Sequence, residues 1–253
     1  KEMYVARDTF GIRPLFIGFN NSFTIIVASE MKSISSFDKY SNFVISQFNP
    51  GTFSKFVYEK NKWDIIIHNS IFSKPNSFTN NTIESFEDCC TIVRNSLISA
   101  VKKRIVNTDR PIACLLSGGL DSSLIAALVK KYSNSDLHTW SIGFKGSDDL
   151  KFAQIVANHI GSIHHSIEVD EKEFLQAIPE VIYRIESYDT TTVRASVGNW
   201  LISKYISKSD AKVIFNGDGS DEVTGGYMYF HHAPNSLEFD RECRRLLGDI
   251  HHF

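Results

Sequence analysis

Between Pro111 and Phe215 the sequence alternates short apolar runs with longer segments of helical periodicity, and this alternation constrains the fold more than any other feature. Residues 112–116, 137–144, 162–169 and 212–215 have the length and composition of strands. Residues 121–132, 148–159, 171–186 and 193–207 read as helices. A run such as Ile112-Ala113-Cys114-Leu115-Leu116 has no polar face, so both its faces need cover, which is the situation of a strand in a parallel sheet. The pattern predicts an α/β fold with a doubly wound parallel sheet, whose ligands gather outside the carboxyl ends of the strands. Gly161 is placed to stop the second helix, and Pro179 is expected to kink the third or delay its start.

The first of those strand ends carries the most chemistry. Residues 115–123 read LLSGGLDSS and join the first strand to the first helix. Gly118 and Gly119 allow backbone conformations closed to other residues, and let N–H groups converge on an anion at a helix start. The loop is thus a phosphate cradle, yet no Lys-Ser/Thr pair follows the glycines as it would in a P-loop. An acid, Asp121, stands there instead, and a carboxylate beside polyphosphate makes sense with Mg²⁺ between them. The stretch resembles the pyrophosphatase-type loop of synthetases that split ATP into AMP and pyrophosphate. The plainer alternative is an ordinary strand-to-helix turn with Asp121 near the cap.

Other strand ends add to this. The fourth strand runs into Asn216-Gly217-Asp218-Gly219-Ser220-Asp221-Glu222, with Gly225 and Gly226 close behind. Asp121 and Asp221 are expected to meet across neighbouring loops as a Mg²⁺ pair; a merely solvated acidic turn is the alternative. The second strand ends in Ser141-Ile142-Gly143-Phe144, a weak signal for backbone flanking an adenine ring. Residues 187–196, SYDTTTVRAS, put Arg194 near a helix start, where its charge opposes the helix dipole. That position suits bidentate capture of a carboxylate, with Thr191 beside it. A surface ion pair with Glu186 or Asp189 is the competing explanation.

The remainder bounds the function. Residues 1–75 read as antiparallel β structure, with strands near 4–6, 15–19, 23–28, 52–58 and 63–68 and a short helix capped by Ser29. The polar stretch 73–82 reads as a linker, and a long amphipathic helix with apolar positions from Phe86 to Ile105 follows. A formal charge of −2 with no long basic run leaves no footprint for nucleic acid, and the arginines at 241, 244 and 245 read as a solvated helix face. No apolar run is long enough to span a membrane. The four cysteines match neither a disulfide framework nor a zinc site, so reduced thiols and a cytoplasmic location are expected. His164-His165 and His231-His232 are neighbours pointing different ways and lack metal-ligand spacing. The chain opens inside a strand-like pattern without Met, and both ends look cut.

Taken in order, SGGLDSS, YDTTTVRAS, GSDE and Gly225-Gly226-Tyr227 resemble glutamine-hydrolysing asparagine synthetase, of the asparagine synthetase B family. ARDTFGIRPLF (residues 6–16) and VASEMKSI (27–34) resemble the closing part of that family's glutaminase domain. The resemblance implies a pyrophosphatase-loop (adenine nucleotide alpha hydrolase-like) sheet over residues 76–253, truncated at its C-terminus. Residues 1–75 would be the C-terminal part of an N-terminal-nucleophile glutaminase domain, a class II glutamine amidotransferase. It implies a ligase of asparagine biosynthesis that amidates aspartate through β-aspartyl-AMP, using ATP, Mg²⁺ and ammonia from glutamine. A homodimer is compatible with it. By the same carry-over Ser117, Gly118, Gly119, Asp121 and Ser122 hold pyrophosphate, and Asp121 and Asp221 bind Mg²⁺. Leu115, Ile142 and Gly217 lie against the nucleoside, and Thr191 and Arg194 orient aspartate. Asp218 stands where the family usually has Glu, at a position tied to adenylation and ammonia attack. The family's N-terminal cysteine is absent from this chain, so glutaminase activity is not expected of it. A β-lactam-synthetase-like ligase and a non-catalytic remnant of the same fold are the other readings, the first lacking the Thr191/Arg194 type of aspartate clamp.

Overall fold

The computed structural model describes residues 1–22, 24–37, 42–70 and 85–249. The chain forms two compact units. One gathers the described residues of Lys1–Asn81 and Tyr227–Phe253, and the other those of Thr82–Gly226. The linker expected at 73–82 lies outside the described residues.

The first unit holds two antiparallel sheets. Strands β1 (Glu2–Ala6), β2 (Phe16–Phe19) and β3 (Ile25–Ala28) precede the short helix α1 (Met31–Ser35), and β4 (Val44–Gln47), β5 (Thr52–Glu59) and β6 (Lys62–Ser70) follow. Their orders are β1-β5-β6 and β3-β2-β4. Val5, Ile17, Phe48 and Phe56 form the core between them. The β5–β6 hairpin closes through Lys60 and Asn61 at φ 49° and 60°, the doubly left-handed turn that matches strand twist. Glu30, not Ser29, precedes α1, and it makes no capping bond.

Arg7 is buried, and its guanidinium donates to the carbonyls of Gly11 (3.0 Å), Arg13 (3.0 Å) and Phe48 (2.7 Å). The Asp8 carboxylate accepts from the backbone of Ile12 and Arg13. Together they fix the 8–14 loop around one cation.

The second unit opens with α2 (Phe86–Val106), capped by Ser85, whose hydroxyl accepts from the Asp88 N–H at 3.1 Å. Glu87 and Asp88 lie in its first turn and Lys103 and Arg104 in its last, which complements the helix dipole. Then come β7 (Ile112–Leu115), α3 (Leu120–Tyr132), β8 (His138–Phe144), α4 (Asp148–Ile160) and β9 (Ile163–Val169). The chain continues through α5 (Glu171–Ile185), α6 (Thr190–Ile206), β10 (Val213–Phe215) and α7 (Ser220–Thr224). The sheet is wholly parallel in the order β10-β7-β8-β9.

Strand alternation explains the layering. Cys114 and Phe215 point into a cluster with Ala126, Val129, Ala153 and Ala157 from α3 and α4. Ala113 and Trp140 point the other way, against Ile202 and Ile206 of α6. Helices therefore cover both faces, as the apolar strands require.

Two residues decide details. Gly161 ends α4 in the left-handed conformation at φ 67°. Pro179 does not interrupt α5, which runs unbroken from Glu171 to Ile185. Both Pro179 and Leu175, whose carbonyl loses its partner, are exposed, so water satisfies the freed group.

His164 and His165 take opposite faces of β9. The ring of His164 bonds Thr139 Oγ1 (2.9 Å) and Ser141 Oγ (3.1 Å), while His165 stacks on Trp140 and bonds His138 at 2.9 Å. Burial pulls both imidazoles below their ordinary range, and the neighbouring histidine adds to this in each.

Beyond α7, a 3₁₀ turn (Met228–His232) and α8 (Ser236–Asp249) group with the first unit. Arg241, Arg244 and Arg245 pair with Glu238, Asp240 and Glu242 on an exposed face of α8. The four cysteines are free, and Cys114 is buried. No helix among the described residues is long and apolar enough to cross a membrane.

Candidate active site at the strand-order reversal

Strand β7 has β8 on one side and β10 on the other, so the strand order reverses between β7 and β10. A crevice outside the carboxyl ends follows from that topology. Residues 116–119 leave β7 and 216–219 leave β10. The two glycine-rich loops of the sequence thus occupy the one place where the sheet opens.

The β7 loop is built by Gly118. It sits at φ +83°, and a Cβ there would lie 2.5 Å from Phe152 Cβ and 2.6 Å from Ala153 N on α4. Only glycine permits both the turn and that approach. Around it Ser122 Oγ lies 2.9 Å from Ser117 Oγ and accepts from the Ser117 N–H at 3.2 Å. The Gly119 N–H donates to Ser117 Oγ at 3.3 Å. Gly119 is the cap position of α3 and offers no side chain to its first turn. Helix-start N–H groups and two hydroxyls converge there, a donor set suited to an anion.

The β10 loop is locked against it. A Cβ on Gly217 would lie 2.8 Å from Ser122 N and 2.9 Å from the Asp121 carbonyl carbon, so backbone meets backbone. Ser220 Oγ donates to Asp121 Oδ1 at 3.0 Å, tying the two loops directly. Gly226 leaves room for the Asp221 carboxylate, which a Cβ would overlap.

Acids crowd this junction. The Asp221 carboxyl is raised by desolvation first, then by Asp121 and Glu222. Asp218 is raised by desolvation and then by Glu222, and the Asn216 amide, donating to Asp218 Oδ2 at 2.6 Å, pulls it back. Asp218 as a residue is solvent-accessible, so the desolvation is local to its crowded carboxylate. A site that forces carboxylates together is one a hard cation relieves. Among the described residues no cluster of three or more His, Cys, Asp or Glu could hold a metal alone. The structure brings Asp121 and Asp221 together at this junction, where Asp121 adds to the rise in the proton affinity of Asp221.

Leu115 and Ile142 stand at the ends of β7 and β8, and both side chains pack against the Ala113–Trp140 cluster, so what they present to the crevice is largely backbone. Thr191 and Arg194 lie in the first turns of α6, which starts at Thr190, earlier than the expected 193. Asp189 is its cap, accepting from Thr192 N (2.8 Å) and Thr192 Oγ1 (2.9 Å). Asp189 is thereby engaged as a cap, and the side chain of Arg194 is exposed. The surface ion pair that competed with a binding role for Arg194 is not formed with Asp189.

Asn216, Ser220 and Asp189 are the contributors that sequence reasoning passed over. The signals were an amide two residues before Asp218, a hydroxyl inside GSDE and an acid directly before a threonine run.

The fold defines a doubly wound α/β protein with a glycine-built, hydroxyl-lined turn and an adjacent acidic pair at its strand-order reversal. The profile of the asparagine synthase family matches residues 92–248. The chain belongs to the asparagine synthase family. Glutamine-hydrolysing asparagine synthetases from Mus musculus and Homo sapiens are 41% and 40% identical to it over 272 and 274 aligned residues. Each alignment covers 100% of this chain and 48% of the relative. The chain thus spans about half the length of those relatives. Among solved structures, an NH3-dependent NAD synthetase from Campylobacter jejuni aligns at 18% identity and TM-score 0.37, covering 64% of this chain and 75% of the other.

Proposed function

We propose that this chain carries the ATP-cleaving, aspartate-amidating part of a glutamine-hydrolysing asparagine synthetase. In this proposal residues 76–253 belong to the synthetase domain and residues 1–75 to the end of the glutaminase domain. The observation that carries it is the locking of two glycine-rich loops, one a phosphate-type cradle and one acidic, through Ser220 and Asp121.

A carboxylate is a poor electrophile until one of its oxygens joins a good leaving group. The aspartate side chain attacks the α-phosphorus of ATP, the α–β phosphoanhydride bond breaks, and pyrophosphate leaves. Ser117, Gly118, Gly119 and Ser122 hold the departing pyrophosphate through hydroxyl and backbone donors. Leu115, Ile142 and Gly217 flank the nucleoside. Arg194 and Thr191 grip the aspartate and aim its side-chain carboxylate, which converts a bimolecular encounter into an oriented one. Asp121 and Asp221 would hold Mg²⁺, which supplies charge to offset the phosphates.

Ammonia then adds to the acyl carbon of β-aspartyl-AMP, and the resulting ammonium group must lose a proton before AMP departs. Asp218 is the acceptor in this scheme, its raised affinity for a proton suiting the task. Asparagine, AMP and pyrophosphate are the products.

The test is isotopic. Aspartate labelled with ¹⁸O in its side-chain carboxylate is turned over with ATP and ammonium, and AMP is examined by mass spectrometry. One ¹⁸O transferred to AMP per asparagine is expected. Unlabelled AMP formed alongside asparagine would overturn the acyl-adenylate route.

A further inference from the structure

We infer that Asn216 is a positioning residue for Asp218, holding its carboxylate where the amidation step needs a proton acceptor. The inference rests on the role proposed above for Asp218.

The geometry is specific. Asn216 follows directly on β10, whose last residue, Phe215, is buried and pairs with Cys114 in the sheet. Its amide Nδ2 donates to Asp218 Oδ2 at 2.6 Å, the one hydrogen bond Asp218 makes among the described residues. Between them Gly217 is pressed on the start of α3, with no space for a Cβ. Behind Asp218 stands Gly219 at φ +89°. The backbone on either side of Asp218 is therefore dictated by close packing and by a turn, and Asn216 fixes what remains free, the side-chain torsions.

The charge pattern explains the choice of residue. Glu222 repels the Asp218 carboxylate, and the Asn216 amide offsets that repulsion. An amide donates at every pH and brings no charge of its own. Turned the other way, Asn216 would set its oxygen against a carboxylate oxygen, so the donor assignment follows from the contact.

The test compares this chain with Asn216→Asp, nearly isosteric but without the donor, and Asn216→Ala. Ammonium-dependent asparagine formation should fall in kcat by about tenfold to a hundredfold, the range of a charge-assisted hydrogen bond, with KM for ATP and aspartate within about twofold. An unchanged kcat, or a rise in KM alone, would overturn the inference. A second measurement needs no turnover. In ¹⁵N-labelled resting protein, one Asn216 side-chain amide proton should be shifted downfield and slowed in exchange, and both effects should vanish in Asp218→Ala. Asn216 amide protons that exchange like those of a solvated asparagine would refute it. If the unsubstituted chain shows no aspartate-dependent release, the proposed function fails while the amide spectrum still decides the positioning.

Discussion

Replacing Gly118 with alanine should damage the protein twice over, and the sizes are separable. The added Cβ at φ +83° carries the left-handed penalty of about 1–2 kcal/mol. It also arrives 2.5 Å from Phe152 Cβ and 2.6 Å from Ala153 N, so a helix backbone has to retreat. Overpacking of that kind costs about 1–3 kcal/mol. The sum, about 2–5 kcal/mol, corresponds to a fall in melting temperature of roughly 4–20 °C for a chain of this size. Gly146→Ala is the internal control, because Gly146 has φ +76° but nothing within 4 Å of an added Cβ. It should lose only the conformational part, about 1–2 kcal/mol. Gly119→Ala completes the set: its φ of −72° is ordinary and its Cβ would come no closer than 3.4 Å to Ser117 Oγ. That variant should melt near the parent while losing pyrophosphate release, since the cradle rather than the fold is filled. Thermal unfolding followed by circular dichroism measures all three. A Gly118→Ala protein no less stable than Gly146→Ala would refute the packing argument.

Three further outcomes follow from buried groups. His164 and His165 have depressed proton affinity in the fold, so the unfolded chain binds more protons in acid; stability should be full above about pH 6.5 and decline below it, as urea titrations at stepped pH would show, and a flat profile through that window would contradict the burial. Burial pushes the Cys114 thiol up to about 12, so iodoacetamide at mildly alkaline pH should label Cys89 and Cys90 well before Cys114, with peptide mass spectrometry as the readout and early Cys114 labelling as the contrary result. Arg7→Met should cost about 3–5 kcal/mol in urea unfolding by stranding the carbonyls of Gly11, Arg13 and Phe48, and a loss below about 1 kcal/mol would mean that water replaces the guanidinium.

What the sequence disclosed, and what it hid, divides along physical lines. The parallel sheet was legible because strands such as Ile112–Leu115 are apolar on both faces, a pattern few other environments tolerate. The tight turn from β7 into α3 was legible because Gly118 has a backbone job no other residue can do. The intact α5 was not, since whether Pro179 breaks a helix depends on whether the freed Leu175 carbonyl meets water, and that is a matter of tertiary exposure. β4 escaped notice because Val44–Gln47 is four residues long and gains its partners from β2, far away in sequence. The meeting of Ser220 with Asp121 spans 99 residues. Loops on neighbouring strands could be foreseen to approach; which hydroxyl ties them could not. The early start of α6 was signalled by Asp189 before the threonines, a cap that competes with reading the same acid as an ion-pair partner for Arg194.

In the proposed function Asp121 and the β7–α3 loop beside it serve an aspartate-dependent cleavage of ATP. Its most direct test is pyrophosphate release from Mg-ATP and ammonium, with and without aspartate, by this chain and by Asp121→Ala. Release that requires aspartate and disappears in Asp121→Ala is the predicted result. Release indifferent to aspartate, or undiminished in Asp121→Ala, would contradict it.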